Sequence, residues 1–287
     1  MSVILAVLST KGGVGKTTTT ANLGGLLADA GFRVLLVDLD SQPSLSSYYS
    51  LAREAPGGVY ELMALSETRL DRIVSTTTID GLDLIVSNDY QGQLPQLLLN
   101  APDGRFRLSH LLSTGSLADY DVILLDTQGA RSITLEAAVL ASDQALSPIT
   151  PDVLSAREFV RGTLGMFDEL ERLTAYTSLS VPPLSLLLNR LDETRNSQQV
   201  AQSLRSMLSN DIRVTVLNNA FRMLSAFKLA GAAGEPIHRY EPVKPYRRVT
   251  PAGADLIKAV ACELHSDWAD AIKEMPSQHG GASDVRH

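Results

Sequence analysis

Residues 10 to 18 read Thr10-Lys11-Gly12-Gly13-Val14-Gly15-Lys16-Thr17-Thr18, with two lysines five positions apart enclosing three glycines and hydroxyl residues following. Glycines let a backbone turn its N–H groups toward an anion, and a helix that starts where the loop ends adds the positive end of its dipole. In that setting Lys16 reaches the β- and γ-phosphates of a nucleotide, and the Thr17 hydroxyl ligates Mg²⁺. The strict phosphate-loop pattern has glycine at position 10. Here Thr10 stands there, and a second lysine, Lys11, follows it.

Such a loop needs a strand before it and a helix after it. Val3–Leu8 supplies the strand, and Thr17–Ala30, which ends at Gly31, reads as the helix. Further apolar runs without alternation recur at Val34–Val37, Leu82–Val86, Val122–Leu125, Ala145–Ile149, Leu184–Leu188 and Val214–Leu217. Runs of that kind are what strands covered on both faces look like. Helices are expected at Val153–Leu173 and Gln198–Leu208. A last one is capped by Thr250, with Pro251 in its first turn and Leu256, Ile257, Val260, Leu264 and Trp268 at helical spacing. The alternation implies an α/β fold with a mostly parallel twisted sheet and helices on both faces. One domain over residues 1–275 follows, with a frayed Gly-, Ser- and His-containing tail over 276–287. Residues 43–81 and 88–118 give no secure assignment.

The 287 residues are 44% hydrophobic and 20% charged, which excludes a disordered, collagenous or coiled-coil chain. No apolar run approaches the roughly 18 residues of a membrane span. The first apolar stretch runs straight into Lys11, unlike a secretory signal, so a cytoplasmic location is expected. A single cysteine, Cys262, cannot bridge a thiolate cluster or complete a zinc site unaided. The net charge of −7 hides an asymmetry. From Arg213 to Lys258 there are eight basic residues against three acidic ones, and the rest of the chain is correspondingly acidic. Arg239, Lys244, Arg247 and Arg248 surround Tyr240, Tyr246 and several prolines, reading as an ordered loop that can take phosphate contacts without reading sequence. Arg222 and Lys228 are weaker members of the same cluster.

Lys11-Gly-Gly-Val-Gly-Lys-Thr-Thr resembles the deviant Walker A motif of the ParA/MinD superfamily, and the whole chain resembles its ParA (Soj-like) partition ATPases. Asp38-Leu39-Asp40-Ser41-Gln42-Pro43 is similar to the switch I segment, with Ser41 in place of a proline. Tyr120–Thr127 resembles the Walker B strand, with Gln128-Gly129 where Pro-Pro is common, and Asn189-Arg190-Leu191-Asp192 resembles the segment that contacts adenine. The resemblance implies a P-loop NTPase fold binding ATP and Mg²⁺, with nucleotide contacts from Lys11, Gly12, Gly13, Val14, Gly15, Lys16, Thr17, Thr18 and Asn189. It implies that Lys11 reaches across an ATP-dependent homodimer to the partner's phosphates. Asp40 would orient the attacking water and the Mg²⁺ shell, and Asp126 would hold Mg²⁺ through water. Asp192 is a weaker candidate.

The expected function is therefore slow, partner-stimulated ATP hydrolysis coupled to nonspecific double-stranded DNA binding on the nucleoid. A ParB-like partner would carry site recognition, since the chain starts directly at its first strand with no preceding helix-turn-helix. The alternative is a MinD-like ATPase that positions a membrane-bound or protein cargo. That role needs a terminal amphipathic helix with a basic face, and the last helix instead ends in Glu274-Met275-Pro276.

Overall fold

In a parallel sheet covered on both faces, successive side chains of one strand enter two different cores. The computed structural model, which describes residues 2–275 apart from 114 and 178, shows this division. The expected tail, 276–287, lies outside the described residues. Nine strands form one sheet: β1 (Val3–Val7), β2 (Val34–Asp38), β3 (Leu51–Arg53), β4 (Ser75–Thr77), β5 (Leu82–Ile85), β6 (Val122–Asp126), β7 (Gln144–Ile149), β8 (Leu184–Leu188) and β9 (Val214–Val216). Their order is β3-β4-β5-β2-β6-β1-β7-β8-β9. All pairings from β5 to β9 are parallel, and β3 and β4 add an antiparallel edge.

Ala6 of β1, Leu35 and Val37 of β2, and Ile123 and Leu125 of β6 point into one core, covered by helices that include Ile133–Leu140 and Gly165–Thr174. Their neighbours Leu5, Val7, Leu36 and Leu124 enter the other, under Leu23, Leu26 and Leu27 of helix α1 (Lys16–Asp29) and Ile257 and Val260 of helix Gly253–Leu264. Each fully buried leucine contributes about 1.5–3 kcal/mol relative to exposure. Helix α1 has no polar stripe because it is caught between the sheet and helix Gly253–Leu264, and most of its residues are buried.

All seven expected strands are present, and the differences lie in the helices. Val153–Leu173 forms as α-helix Val153–Glu158, a π-helical turn over Phe159–Leu164, and α-helix Gly165–Thr174. The last helix is two, Gly253–Leu264 and Ser266–Glu274, because His265 adopts an extended backbone. Thr250 does not cap it. Ala252 is the cap residue, and its N–H donates to Asp255. Within the supposed loop 239–248, the short helix Ile237–Tyr240 includes Arg239. The unassigned stretches hold β3, β4 and helices of four to seven residues at Val59–Leu65, Leu70–Ile73, Leu94–Asn100 and Arg107–Leu112. Such short pieces carry no periodic signal.

Candidate functional site

β1 lies between β6 and β7, so its C-terminal end opens where the strand order reverses, the place where open α/β sheets bind ligands. The glycine loop leaves β1 there and feeds helix α1, whose cap residue Gly15 is in the left-handed region at φ 95°. A Cβ on Gly15 would stand 2.2 Å from the Asn189 side-chain nitrogen, so only glycine fits. Gly12 and Gly13 face open space, as a cradle for a bulky anion requires. Gly129 closes the other side, since a Cβ there would meet the Gly12 Cα at 2.5 Å. The Gln128-Gly129 departure from Pro-Pro thus lets the segment after β6 pack directly on the loop.

A cavity of about 660 Å³ opens above this loop, lined among others by Gly13, Lys16, Thr17, Asp40, Tyr48 and Gly129. Lys16 is buried, and burial lowers its pKa against the opposing pull of Asp126 and Asp40. The Thr17 hydroxyl donates to the Asp126 carboxylate at 2.7 Å. Burial, reinforced by the charge of Asp38, pushes Asp126 up to about 8. Burial likewise raises Asp38 to about 6, although its carboxylate accepts hydrogen bonds from the Ser46 N–H and hydroxyl and from the Asp40 N–H. Asp126 and Asp40 act on Lys16 and Asp38 adds its charge beside Asp126, so carboxylates outnumber the one lysine, a local deficit of positive charge that a divalent cation would correct. Among the described residues no three acidic, His or Cys side chains form a protein-only metal cage. The Thr17 hydroxyl beside the Asp126 carboxylate, facing the open glycine cradle, suits Mg²⁺ held by a hydroxyl, waters and substrate phosphates, so the residues fit a Mg²⁺–nucleotide complex.

A second cavity of about 630 Å³ adjoins the loop through Gly15 and Thr18 and is walled by Asn189, Phe221, Met223 and Phe227. The Asn189 amide nitrogen donates to the Val14 carbonyl at 2.6 Å, so in this structure Asn189 braces the loop. Val14 itself is buried. Arg222 and Lys228, expected on a DNA-facing surface, stand in the wall of this second cavity, and Arg222 also reaches Glu193 at 3.1 Å. Asp192 accepts from the N–H and hydroxyl of Thr194 and faces neither cavity.

Lys11 does not line either cavity. Its ammonium donates to the Ser155 hydroxyl at 2.6 Å and lies 3.6 Å from Asp152, with both ion-pair side chains more than a third exposed. Burial would raise Asp152, yet hydrogen bonds from Ser155 and Thr150 and the nearby Lys11 hold it at about 2. Asp152 and Ser155 lie 141 and 144 positions along the chain from Lys11, and only the fold joins them to it. In the basic segment, Arg239 is paired with Asp29 and Arg248 with Glu241. Lys244 and Arg247 are exposed and carry no ion pair among the described residues, and Arg247 lies over the ring of the exposed Tyr246.

The fold and loop define a P-loop nucleotide-binding protein carrying the deviant lysine. A family model described as an AAA domain matches residues 2–173. The chromosome-partitioning ATPase Soj of Thermus thermophilus is 31% identical over 251 residues, covering 85% of this chain and 92% of the relative. The chain belongs to this ParA/Soj family of partition and positioning ATPases. Among solved structures, an ATP complex of McdA from Cyanothece superposes with a TM-score of 0.74 at 22% identity, covering 95% of this chain and 96% of the other. MinD of Pyrococcus horikoshii with Mg-ADP gives 0.65 at 20%, covering 94% and 99%. These two likenesses show the fold, which is the expected P-loop type. No helix among the described residues is long and apolar enough to cross a membrane.

Proposed function

We propose that this chain is an ATP- and Mg²⁺-dependent dimerising ATPase that binds DNA without sequence preference and segregates a DNA element with a ParB-like partner that stimulates hydrolysis. The observation that supports it most is Lys11, a loop lysine held away from its own phosphate cradle on a partly exposed surface, where a second subunit's nucleotide could receive it. Bound Mg²⁺–ATP supplies the phosphoanhydride and a metal that spreads its charge. Lys16, the loop N–H groups and the helix α1 dipole hold the phosphates, while Thr17 and Asp126 orient the metal's shell. Asp40, half-buried at the cavity wall, is positioned to orient a water. Asn189 and the second cavity are assigned to the base and ribose.

The DNA-binding reading narrows to Lys244 and Arg247, with Arg239 and Arg248 drawn off by carboxylates and Arg222 and Lys228 turned toward the nucleotide. A membrane role finds less support. The last helix among the described residues, Ser266–Glu274, buries Trp268 and Ile272 in the core, so its apolar face is not free to enter a bilayer. Sedimentation with ATP, ADP and DNA tests the proposal. Lys244 and Arg247 of both subunits of a dimer make about four phosphate contacts, and DNA affinity with ATP should then fall roughly 100-fold between 50 and 200 mM salt. A flat salt dependence, equal binding without nucleotide, or a monomer under Mg²⁺–ATP would overturn it.

A further inference from the structure

Asn22 is an amide at the centre of helix α1, fully buried between apolar neighbours. A buried amide persists there only if its polar atoms are matched. Its amide nitrogen donates to the Thr18 carbonyl at 2.7 Å, one turn back toward the phosphate loop, and meets the Tyr48 hydroxyl at 3.1 Å. Its oxygen accepts from the Ile237 N–H at 2.5 Å, 215 residues later. Tyr48 lines the 660 Å³ cavity and ends the segment that begins at Asp40, and the edge of its ring packs against Gly231. Ile237 starts the short helix that leads into Lys244 and Arg247. One turn beyond Asn22, Gly25 is pressed so closely on Pro236 that a Cβ would sit 2.7 Å from that ring. Two turns beyond, Asp29 holds His238 at 2.7 Å and ion-pairs with Arg239.

We infer that Asn22 and Tyr48 are positioning residues that transmit occupancy of the nucleotide cavity to the basic segment 237–250. This rests on the proposed function and adds to it the route by which nucleotide governs the DNA-facing loop. Segment 40–48 forms the wall a triphosphate would press on. Any displacement of that wall carries the Tyr48 hydroxyl, and the Asn22 amide that meets it is also bonded to Ile237. The clamp at Asp29 makes the basic segment follow helix α1 as one body, so a small movement at the cavity is delivered to Lys244 and Arg247 rather than lost in a loose loop.

The test uses Tyr48→Phe, which deletes one hydroxyl and keeps the ring that packs on Tyr49 and Gly231. In the full chain, amide hydrogen exchange of residues 236–250 is measured with and without Mg²⁺ and a non-hydrolysable ATP analogue. The wild type should change its exchange there by about three-fold or more. At analogue concentrations that saturate each protein, Tyr48→Phe should pass on less than half of that change, and Asn22→Ala, whose side chain lines neither cavity, should do the same or worse. Full transmission in Tyr48→Phe, or a wild type that binds the analogue with no change at 236–250, overturns the inference. A wild type that takes up no analogue overturns the proposed function and this inference together. A change at 236–250 without ATP-dependent DNA binding supports the coupling and removes the DNA half of the proposed function.

Discussion

Replacing Lys11 by alanine separates a lysine acting on its own subunit's nucleotide from one acting on a partner's. In the monomer the ammonium is held by one hydrogen bond to Ser155 at 2.6 Å and an ion pair to Asp152 at 3.6 Å, with 35% and 43% of the ion-pair side chains exposed. An ion pair this exposed contributes about 0.2–1 kcal/mol, and a charge-assisted hydrogen bond about 1.5–3 kcal/mol. Release of Lys11 therefore costs on the order of 2–4 kcal/mol. A cationic finger delivered to a transferring phosphoryl group contributes roughly 10³ to 10⁵ in rate, or about 4–7 kcal/mol. The delivered lysine thus outweighs the parked one most at the transition state, and in the ground state its release is a cost that dimerisation must meet. Lys11→Ala should lower single-turnover hydrolysis by about 10³-fold or more while nucleotide affinity of the monomer stays within about three-fold, because Lys11 does not line the cavity. Ser155→Ala, which removes the stronger restraint, should lower the ATP concentration needed for dimerisation several-fold. Single-turnover phosphate release and sedimentation velocity read the two effects. A Lys11→Ala protein that turns over within ten-fold of wild type refutes the trans assignment. So does a Ser155→Ala protein that dimerises less readily than wild type.

Three other perturbations probe separate parts of the site. Lys16→Ala removes the only lysine that lines the cavity among the described residues, and titration with a fluorescent nucleotide should show binding lost or weakened by two orders of magnitude; unchanged affinity would contradict its role. Gly129→Ala forces a methyl toward the Gly12 backbone, so nucleotide affinity should fall at least ten-fold while thermal unfolding shifts by only a few degrees. An affinity equal to wild type would mean that the loop gives way at no cost. Asp29 offers a pH test: burial raises its pKa, but hydrogen bonds from Arg239 and His238 outweigh this and hold it at about 2. A depressed carboxylate adds stability that is complete above its unfolded value near 4 and is lost as pH falls through about 2. Holding the carboxyl at about 2 instead of near 4, discounted for partial exposure, contributes about 1–2 kcal/mol. Chemical denaturation should find Asp29→Asn less stable by that amount at pH 7, with the gap closing between pH 4 and pH 2. A gap that stays constant over that range would show that the clamp is not electrostatic.

What could be read from the chain, and what could not, follows from the range of each force. The phosphate loop is legible because positive φ at Gly13 and Gly15, with Asn189 packed against Gly15, excludes almost every other residue, so local geometry is written in local composition. The central strands are legible because burial on both faces leaves unbroken runs of Val, Ile and Leu. Asn22 looks like an ordinary helix residue, because its reason for being there is the Ile237 N–H 215 positions away. Lys11 likewise shows nothing of Ser155. The basic segment teaches the same lesson with the opposite sign. A count of charges along the chain sums cations without their directions, and folding turns them three ways. Arg239 and Arg248 go to Asp29 and Glu241, Arg222 and Lys228 line the cavity beside the loop, and Lys244 and Arg247 stay exposed, Arg247 over the ring of Tyr246. Lys244 and Arg247 alone make about two phosphate contacts, and the same pair on both subunits of a dimer about four, which roughly doubles the salt slope of binding. On the proposed function, the carboxylates that remove charge from this loop would make DNA binding depend on dimerisation, and dimerisation on the triphosphate that Lys11 would meet.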